Sequence, residues 1–254
     1  MIEYLEHHIV DHCNLKCAGC SHFSCLADPW FEDIDDFYQD FKELSKLTDQ
    51  QIDTIRIMGG EPLLHPNFDQ FLIIARKLFP YSNIQIVTNG LLINRHKDKL
   101  KKVCNENNIL LCISNYHLLD LSTILENFNN PVRIDEKNYL YNISLNLNGT
   151  LNQEQCFNNC DLHVNKWYYF QHGSFYRCCI AANIHIFEKY FNLKLIDSNK
   201  EDFSISIYSH SLDEIEKFLN TPFCLCSFCN TDLRLKTYHP FYLTKGDIIE
   251  WTYQ

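Results

Sequence analysis

The sequence predicts an α/β fold built on a parallel sheet, because short apolar runs alternate with longer helical patterns over the first 150 residues. Each apolar run has the length of a buried parallel strand. Helical stretches separate most of these runs, which is the arrangement of βα units. The predicted strands are Leu5–Val10, Thr54–Met58, Ile84–Thr88, Leu110–Ser114, Val132–Ile134 and Leu140–Leu147.

Four helices are predicted between these strands. The first covers Asp33–Leu47 and begins with acidic residues, which suit the positive end of a helix dipole. The second covers Asn67–Phe79, with Asn67 as the N-cap. The third covers Arg95–Cys104, and a weaker pattern covers Leu121–Phe128. In such a fold the functional residues lie where the strands end, at one edge of the sheet.

The composition is that of a single sizeable core with a small appendage, since the chain has 254 residues. Its formal net charge of −10 argues against a nucleic-acid partner, because phosphate binding needs clustered Lys and Arg. No signal peptide opens the sequence, and no run approaches the roughly 20 apolar residues of a membrane span. We therefore expect a cytoplasmic protein with no membrane partner, whose 13 cysteines serve metal or catalytic chemistry rather than disulfides.

Three cysteines in the segment CNLKCAGC follow the first predicted strand: Cys13, Cys17 and Cys20. Three thiolates can hold three corners of a [4Fe-4S] cubane and leave the fourth iron without a protein ligand, whereas an electron-transfer cluster takes four. A second motif, MGGEP at Met58–Pro62, ends the second predicted strand. Both loops are therefore expected at the same edge of the sheet.

Together these two motifs resemble the radical S-adenosylmethionine (radical SAM) superfamily. The resemblance implies a partial (β/α)6 TIM-like barrel, with a [4Fe-4S] cluster on Cys13, Cys17 and Cys20 whose free iron binds S-adenosylmethionine. It implies cleavage of that cofactor to methionine and a 5′-deoxyadenosyl radical, which abstracts hydrogen from the substrate. A flavodoxin- or ferredoxin-type reductant is the implied partner. A zinc site is the alternative interpretation of the cysteines.

The resemblance also implies where S-adenosylmethionine binds. The glycine loop would bind the methionyl amino group, and polar residues that end the third and fourth strands would contact the ribose and the carboxylate. The residue before the third cysteine, which is usually aromatic in this superfamily, is Gly19 here. Either Phe23 packs beside adenine in its place, or backbone contacts suffice. The implied cofactor-binding residues are Gly59, Gly60, Glu61, Pro62, Thr88, Asn89, Ser114, Asn115 and Arg133.

The last hundred residues hold seven more cysteines, a density that favours a second metal site. Trp167–Arg177 is predicted to be a hairpin around Gly173. A helix is predicted from Ser211 to Leu219, opened by a capping box of Ser211 and Glu214. The seven cysteines are Cys156, Cys160, Cys178, Cys179, Cys224, Cys226 and Cys229.

A cysteine before a hairpin, another after it, and a CxxC pair after a helix resemble the twitch domain. This is the shortened SPASM appendage of radical SAM enzymes such as 2-deoxy-scyllo-inosamine dehydrogenase. The resemblance implies an auxiliary [4Fe-4S] cluster on Cys160, Cys178, Cys226 and Cys229. It divides the chain into a radical SAM barrel, 1–150, and a twitch subdomain of hairpin plus helix, 151–254. The neighbouring Cys156, Cys179 and Cys224 are alternative ligands, and a zinc ribbon is the alternative for the site.

Two cofactor sites predict an oxidoreductase that acts on a small polar molecule such as a sugar, a sugar nucleotide or an aminocyclitol. Dehydrogenation of a carbinol would pass an electron to the auxiliary cluster. Epimerisation would instead need a thiol that returns hydrogen, for which Cys25 and Cys179 are the candidates. Peptide modification is a second possibility, although the sequence before Cys13 is too short for a leader-binding domain. A noncatalytic zinc or iron–sulfur interaction module is the third.

Overall fold

A computed structural model describes residues 2–118, 120–121, 128–129, 131–137, 139–196, 203–238 and 243–253. Five strands are parallel neighbours in the order in which they occur along the chain. Their hydrogen-bonded registers are continuous, so their carboxyl ends share one edge. The strands are β1 (Tyr4–His8), β2 (Thr54–Met58), β3 (Asn83–Thr88), β4 (Leu110–Asn115) and β5 (Val132–Glu136).

Three helices cover one face of this sheet: α1 (Ile34–Leu47), α2 (Phe68–Leu78) and α3 (Ile93–Asn107). The Asp33 carboxylate caps α1 by accepting hydrogen bonds from two backbone N–H groups, while Asn67 occupies the N-cap position of α2 without a side-chain bond. The predicted order of strands and helices is thus confirmed up to β5. Of the weaker helix predicted at 121–128, residues 122–127 lie outside the described part of the chain.

The predicted sixth parallel strand is wrong. The segment β6 (Tyr139–Leu145) pairs antiparallel with β10 (Cys229–Tyr238) in a separate two-stranded sheet. Only two residues connect β5 to β6, and a parallel neighbour needs a crossover of about a dozen residues or more. The strand that completes the parallel set is β7 (Tyr168–Gln171), which pairs with β1 on its other side.

Two short helices, α4 (Gln153–Asn158) and α5 (Asp161–Val164), precede β7. The predicted hairpin is present: β7 turns through His172 and Gly173 into β8 (Ser174–Tyr176). Both turn residues have positive φ, 49° and 64°, as in the tight turns that suit hairpins. The strand β9 (Ile205–Ser206) pairs with β8 and ends the eight-stranded sheet.

Two further helices complete the fold. One is α6 (Cys179–Phe191), which begins directly after Cys178 and was not predicted. The other is α7 (Leu212–Leu219), where the predicted capping box of Ser211 and Glu214 is present. Among the described residues no helix combines the length and apolar character that a membrane span requires.

The main core lies between the sheet and helices α1–α3. It is built from alternate strand residues such as Leu5, Ile55 and Ile57, each fully buried, and from a stacked aromatic pair, Phe37 and Phe41, on α1. Phe170 and Phe175 of the hairpin belong to the same core. The hairpin is therefore continuous with the barrel sheet, while the domain boundary near residue 150 stays a prediction.

Candidate functional site

The loops that follow β1 and β2 form the wall of one cleft of about 260 Å³. Cys13, Cys17 and Cys20 line it, and Gly59 and Gly60 face them. The structure thus brings the two sequence motifs together, as parallel topology requires. The donor set fits a three-thiolate iron–sulfur cluster with an open side toward the cleft.

The two glycines are needed for close packing of the two loops. A Cβ on Gly59 would lie 2.3 Å from the backbone oxygen of Val10, and one on Gly60 would lie 2.2 Å from that of His12. The Gly60 N–H donates to Val10 O at 2.8 Å, and the Glu61 N–H donates to His12 O at 3.2 Å. Because residues 59 and 60 have no side chains, the backbones of the two loops can pack in direct contact, and this contact positions the cysteine loop.

Glu61 joins the end of β2 to the end of β3. Its buried carboxylate accepts hydrogen bonds from the Thr88 hydroxyl at 2.7 Å, from the Asn89 N–H at 2.8 Å and from the Leu63 N–H at 3.0 Å. Burial raises the pKa of Glu61 to about 7, and these three hydrogen bonds oppose the rise. The Thr88 hydroxyl, which is predicted to contact the cofactor, thus gives its hydrogen to Glu61, and Thr88 also lines the cleft.

Asn89 extends this network to the cysteine loop. Its Nδ2 donates to Asn14 Oδ1 at 2.7 Å and lies 3.8 Å from the Cys13 Sγ. The Leu15 N–H also points at Cys13 Sγ, at 3.3 Å. Burial raises the pKa of Cys13 to about 12, so the thiol keeps its proton until a metal displaces it.

Other predicted cofactor residues are divided between the cleft and its surroundings. Ser114 lines the cleft. Pro62 begins a short 3-10 helix, Pro62–Leu64, that follows the loop. The Asn115 amide donates to the Glu136 carboxylate. Arg133 lies outside the cleft lining, with its Nε 3.3 Å from Asp135 Oδ2.

The aromatic group in the cleft is Tyr116 rather than Phe23. Phe23 is buried against Phe187, with ring centroids 5.2 Å apart, in a second core beneath the cysteine loop. Tyr116 lines the cleft directly after the polar end of β4, and burial raises its pKa well above the usual value. Sequence reasoning missed Tyr116, although its position next to Ser114 and Asn115 was a signal.

Two charged residues on the sheet face opposite the helices also line the cleft. Glu6 of β1 and Arg56 of β2 are neighbours in the strand register, and Arg56 Nη1 lies 3.4 Å from Glu6 Oε1. Burial opposes the charge on Glu6, but His22 and Arg56 outweigh it and lower the pKa of this carboxylate. The sequence carried a signal for both, since they alternate with the apolar residues that pack on the helices.

The two predicted catalytic thiols differ in position. Cys25 lines the cleft and donates to the backbone oxygen of Cys17 at 3.3 Å. Cys179 is buried at the start of α6, beside His22, and is not among the residues that line the cleft. His22 itself lines the cleft.

A second cavity, of about 140 Å³, holds the predicted auxiliary cysteines. Cys160, Cys178, Cys226 and Cys229 all line it, together with Cys156. The cavity wall also includes four apolar side chains, those of Leu162, Ile180, Phe223 and Leu225. Across the described chain no three His, Cys, Asp or Glu side chains converge closely enough for a single metal ion.

Ser21 lines both cavities. It follows Cys20 directly in the sequence. The cleft and the five-thiol cavity are therefore neighbours that share one lining residue.

Three comparisons with known proteins agree on the class of fold. The model of the family described as the radical SAM superfamily matches residues 8–154. The GTP 3',8-cyclase of Nautilia profundicola is 29% identical over 100 residues, which are 39% of this chain and 31% of that protein. The GTP 3',8-cyclase of Alkaliphilus oremlandii is 29% identical over 150 residues, 52% of this chain and 44% of that protein. The chain thus matches less than half the length of these relatives.

A solved structure extends the likeness to nearly the whole chain. The crystal structure of BtrN in complex with AdoMet and 2-DOIA has a TM-score of 0.52 and 18% sequence identity. The superposition covers 91% of this chain and 93% of that one. This similarity shows a shared fold, a partial TIM-like barrel with its carboxyl-terminal additions.

Proposed function

Since the chain belongs to the radical SAM superfamily, we propose that it dehydrogenates a carbinol carbon of a small polar substrate. Membership implies that it binds a [4Fe-4S] cluster and S-adenosylmethionine. When bound and reduced, the cluster would cleave S-adenosylmethionine to methionine and a 5′-deoxyadenosyl radical. The observation that carries the proposal is the five-thiol cavity, which shares Ser21 with the cleft. An auxiliary cluster there would accept an electron from the substrate.

The atoms and electrons of the overall reaction balance if one electron acceptor takes part. The carbinol carbon gives one hydrogen atom to the 5′-carbon of the adenosyl group. The remaining substrate radical loses the hydroxyl proton and one electron, and it becomes a carbonyl. The electron goes to a one-electron acceptor of the iron–sulfur class, and the proton goes to solvent or to a nearby base. A flavodoxin- or ferredoxin-type protein is the proposed source of the electron that begins each cycle.

Residues of the chain would hold the cluster and form the wall of the cleft around the substrate. Cys13, Cys17 and Cys20 would hold the first cluster at the mouth of the cleft, and the Glu61 hydrogen bonds fix the facing loop. Tyr116 supplies an aromatic ring at the cleft wall. Groups held in place in this way would keep the reactive carbon near the substrate C–H bond.

The comparisons support a small substrate. BtrN was crystallised with the small molecule 2-DOIA, and its fold covers nearly the whole chain. The name of the cyclases points instead to GTP, but the first of them aligns over only 39% of this chain. An aminocyclitol or sugar is therefore the proposed substrate class, and GTP is the competing candidate in the test.

Epimerisation is the second candidate, because Cys25 lines the cleft. A thiol there would return hydrogen to the substrate radical from the opposite face. In that case the substrate keeps its oxidation state and acquires hydrogen that exchanges with solvent.

The test is an anaerobic assay of reconstituted protein with 2-deoxy-scyllo-inosamine, myo-inositol, glucosamine and GTP. We expect about eight iron atoms per chain, four for each cluster, and a carbonyl product formed together with 5′-deoxyadenosine. In D2O the remaining substrate should contain no new C–D bond. A solvent-derived C–D bond in an unoxidised product would establish epimerisation. Reaction of GTP alone, or a carbonyl product from none of these compounds, would overturn the proposal.

A further inference from the structure

Three polar side chains form a row across the inner face of the barrel sheet. Glu6, Arg56 and Gln85 are direct register neighbours on β1, β2 and β3, so they point to the same side. This is the face opposite α1–α3, and the first two residues line the cleft. A charged row on the floor of a barrel is unusual for a core that only needs packing.

The row is not explained by stability. Glu6 is 8% exposed and the Arg56 side chain 18% exposed, so both charges are largely removed from water. The attraction within a buried ion pair does little more than offset its desolvation, and apolar residues of similar size often serve a fold as well. The pair is therefore better explained as a polar recognition site that opens to the cleft.

Tyr4 fixes one side of the pair. Its hydroxyl donates to Glu6 Oε1 at 2.9 Å and accepts from Arg56 Nη1 at 2.5 Å. Glu6 Oε2 lies 3.7 Å from His22 Nε2, too far for a direct hydrogen bond. Arg56 Nε is buried without a hydrogen-bond partner among the described residues. An acceptor on Glu6 and a donor on Arg56 are thus held rigidly beside each other.

We propose that Glu6 and Arg56 bind two adjacent hydroxyl groups, or a hydroxyl beside an amine, of a cyclic polyol substrate. This assignment rests on the proposed function and names the substrate class more closely. A hydroxyl can donate to the carboxylate while its neighbour accepts from the guanidinium, so a vicinal pair satisfies both groups at once. A phosphate could accept from Arg56, but its fully ionised form has no hydrogen to donate to Glu6, whose negative charge opposes that of the phosphate.

The test measures binding, by calorimetry, to reconstituted protein saturated with S-adenosylmethionine. The probes are 2-deoxy-scyllo-inosamine, myo-inositol, cyclohexanol with its single hydroxyl, and GTP. The variants are Glu6→Gln, which keeps the shape of the side chain, and Arg56→Lys, which keeps the charge but loses the planar fork. Glu43→Gln is the matched control, because Glu43 forms an exposed ion pair with Lys46 on α1.

We expect the aminocyclitol or the inositol to bind the wild type and the control alike. Each cleft variant should bind the same compound about tenfold to hundredfold more weakly, as for lost hydrogen bonds to charged groups. Iron content and affinity for S-adenosylmethionine should stay at wild-type values, which shows that the variants are folded. Cyclohexanol should not bind.

Unchanged affinity in Glu6→Gln, tighter binding of GTP than of both polyols, or no binding of either polyol would overturn this site. The outcome is separable from that of the proposed function. Carbonyl formation with unchanged binding by Glu6→Gln would refute the site alone, whereas polyol binding that depends on Glu6 without any carbonyl product would refute dehydrogenation alone.

Discussion

The indole Nε1 of Trp251 donates a hydrogen bond to the backbone oxygen of Cys20 at 3.1 Å, across 231 positions of sequence. Trp251 is 1% exposed and packs on Phe187 and Phe191. The Thr244 N–H donates to Lys16 O at 2.7 Å. The segment 243–253 therefore holds the cysteine loop by hydrogen bonds at two points.

Replacing Trp251 by Phe should loosen that loop. The variant keeps a ring but loses the donor to Cys20, so we expect the free energy of unfolding to fall by about 1–3 kcal/mol. Urea unfolding and iron content after anaerobic reconstitution measure the effect. Trp167→Phe is the control, because Trp167 is 40% exposed and packs on Tyr4 of β1 rather than on the cysteine loop. Equal iron content and equal stability in the two variants would contradict a structural role for Trp251.

Glu61→Gln should weaken the binding of S-adenosylmethionine. The amide has a single acceptor oxygen where the carboxylate has two, so either the Asn89 N–H or the Thr88 hydroxyl loses its partner. An unsatisfied buried donor costs about 1–3 kcal/mol, and the misplaced Asn89 no longer supports the cysteine loop. Equilibrium binding of the cofactor, compared with Glu43→Gln, checks this. Wild-type affinity in Glu61→Gln would show that the loop is held in another way.

Glu32 makes stability depend on pH. Burial, reinforced by the nearby carboxylates of Asp40 and Asp36, raises its pKa to about 8. In the unfolded chain the same group loses its proton near its ordinary value. Between those values the folded state holds one proton more on this group, so the contribution of Glu32 to the free energy of unfolding should fall as pH rises and level off above about pH 8.

The neighbouring His7 acts in the opposite direction below about pH 6.5, because burial lowers its pKa to about 3 and the unfolded chain then binds a proton that the folded state does not. The effect of Glu32 is therefore measured as the difference between the wild type and a variant without this carboxyl group. Glu32→Gln removes the titrating group and should flatten the dependence. Urea unfolding at about pH 6 and about pH 9 compares the two proteins, with Glu43→Gln expected to follow the wild type. Parallel slopes for wild type and Glu32→Gln would refute the assignment.

The five-thiol cavity predicts unequal effects of cysteine replacement. Cys160 influences the pKa of three other thiols of the cavity, Cys178, Cys226 and Cys229, whereas Cys156 influences the pKa of two of them, Cys226 and Cys229. Cys160→Ala should therefore reduce iron from about eight atoms per chain to about four. Cys156→Ala should retain about eight, as should Cys224→Ala outside the cavity lining. Full iron in Cys160→Ala would place the ligands elsewhere.

Local patterns predicted the barrel up to β5 because each strand and helix has its own apolar period. Topology then placed Cys13 and Gly59 at one edge without any knowledge of contacts. The error at β6 arose from its composition, which is that of a strand, while the two-residue connection to β5 already excluded a parallel partner. Pairing with β10 is a contact over some ninety residues, which local periodicity does not encode.

The site was predicted in part for the same reason. Spacing identified the cysteines and glycines, but Glu6 and Arg56 become neighbours only through the register of β1 and β2. Their alternation with Leu5, Ile55 and Ile57 was visible in the sequence. The prediction that each strand is buried on both faces left this alternation without an interpretation. Only the fold shows that one face of the sheet is covered by helices and the other by the cleft.

The most direct test of the central claim is the release of 5′-deoxyadenosine from S-adenosylmethionine by anaerobically reconstituted protein under strong reduction. We predict release by the wild type and its complete loss in Cys17→Ala. All three thiolates are needed to hold the cluster, and only the fourth iron is left open for the cofactor. Release that is unchanged in Cys17→Ala, or no release from fully iron-loaded wild type, would contradict the account.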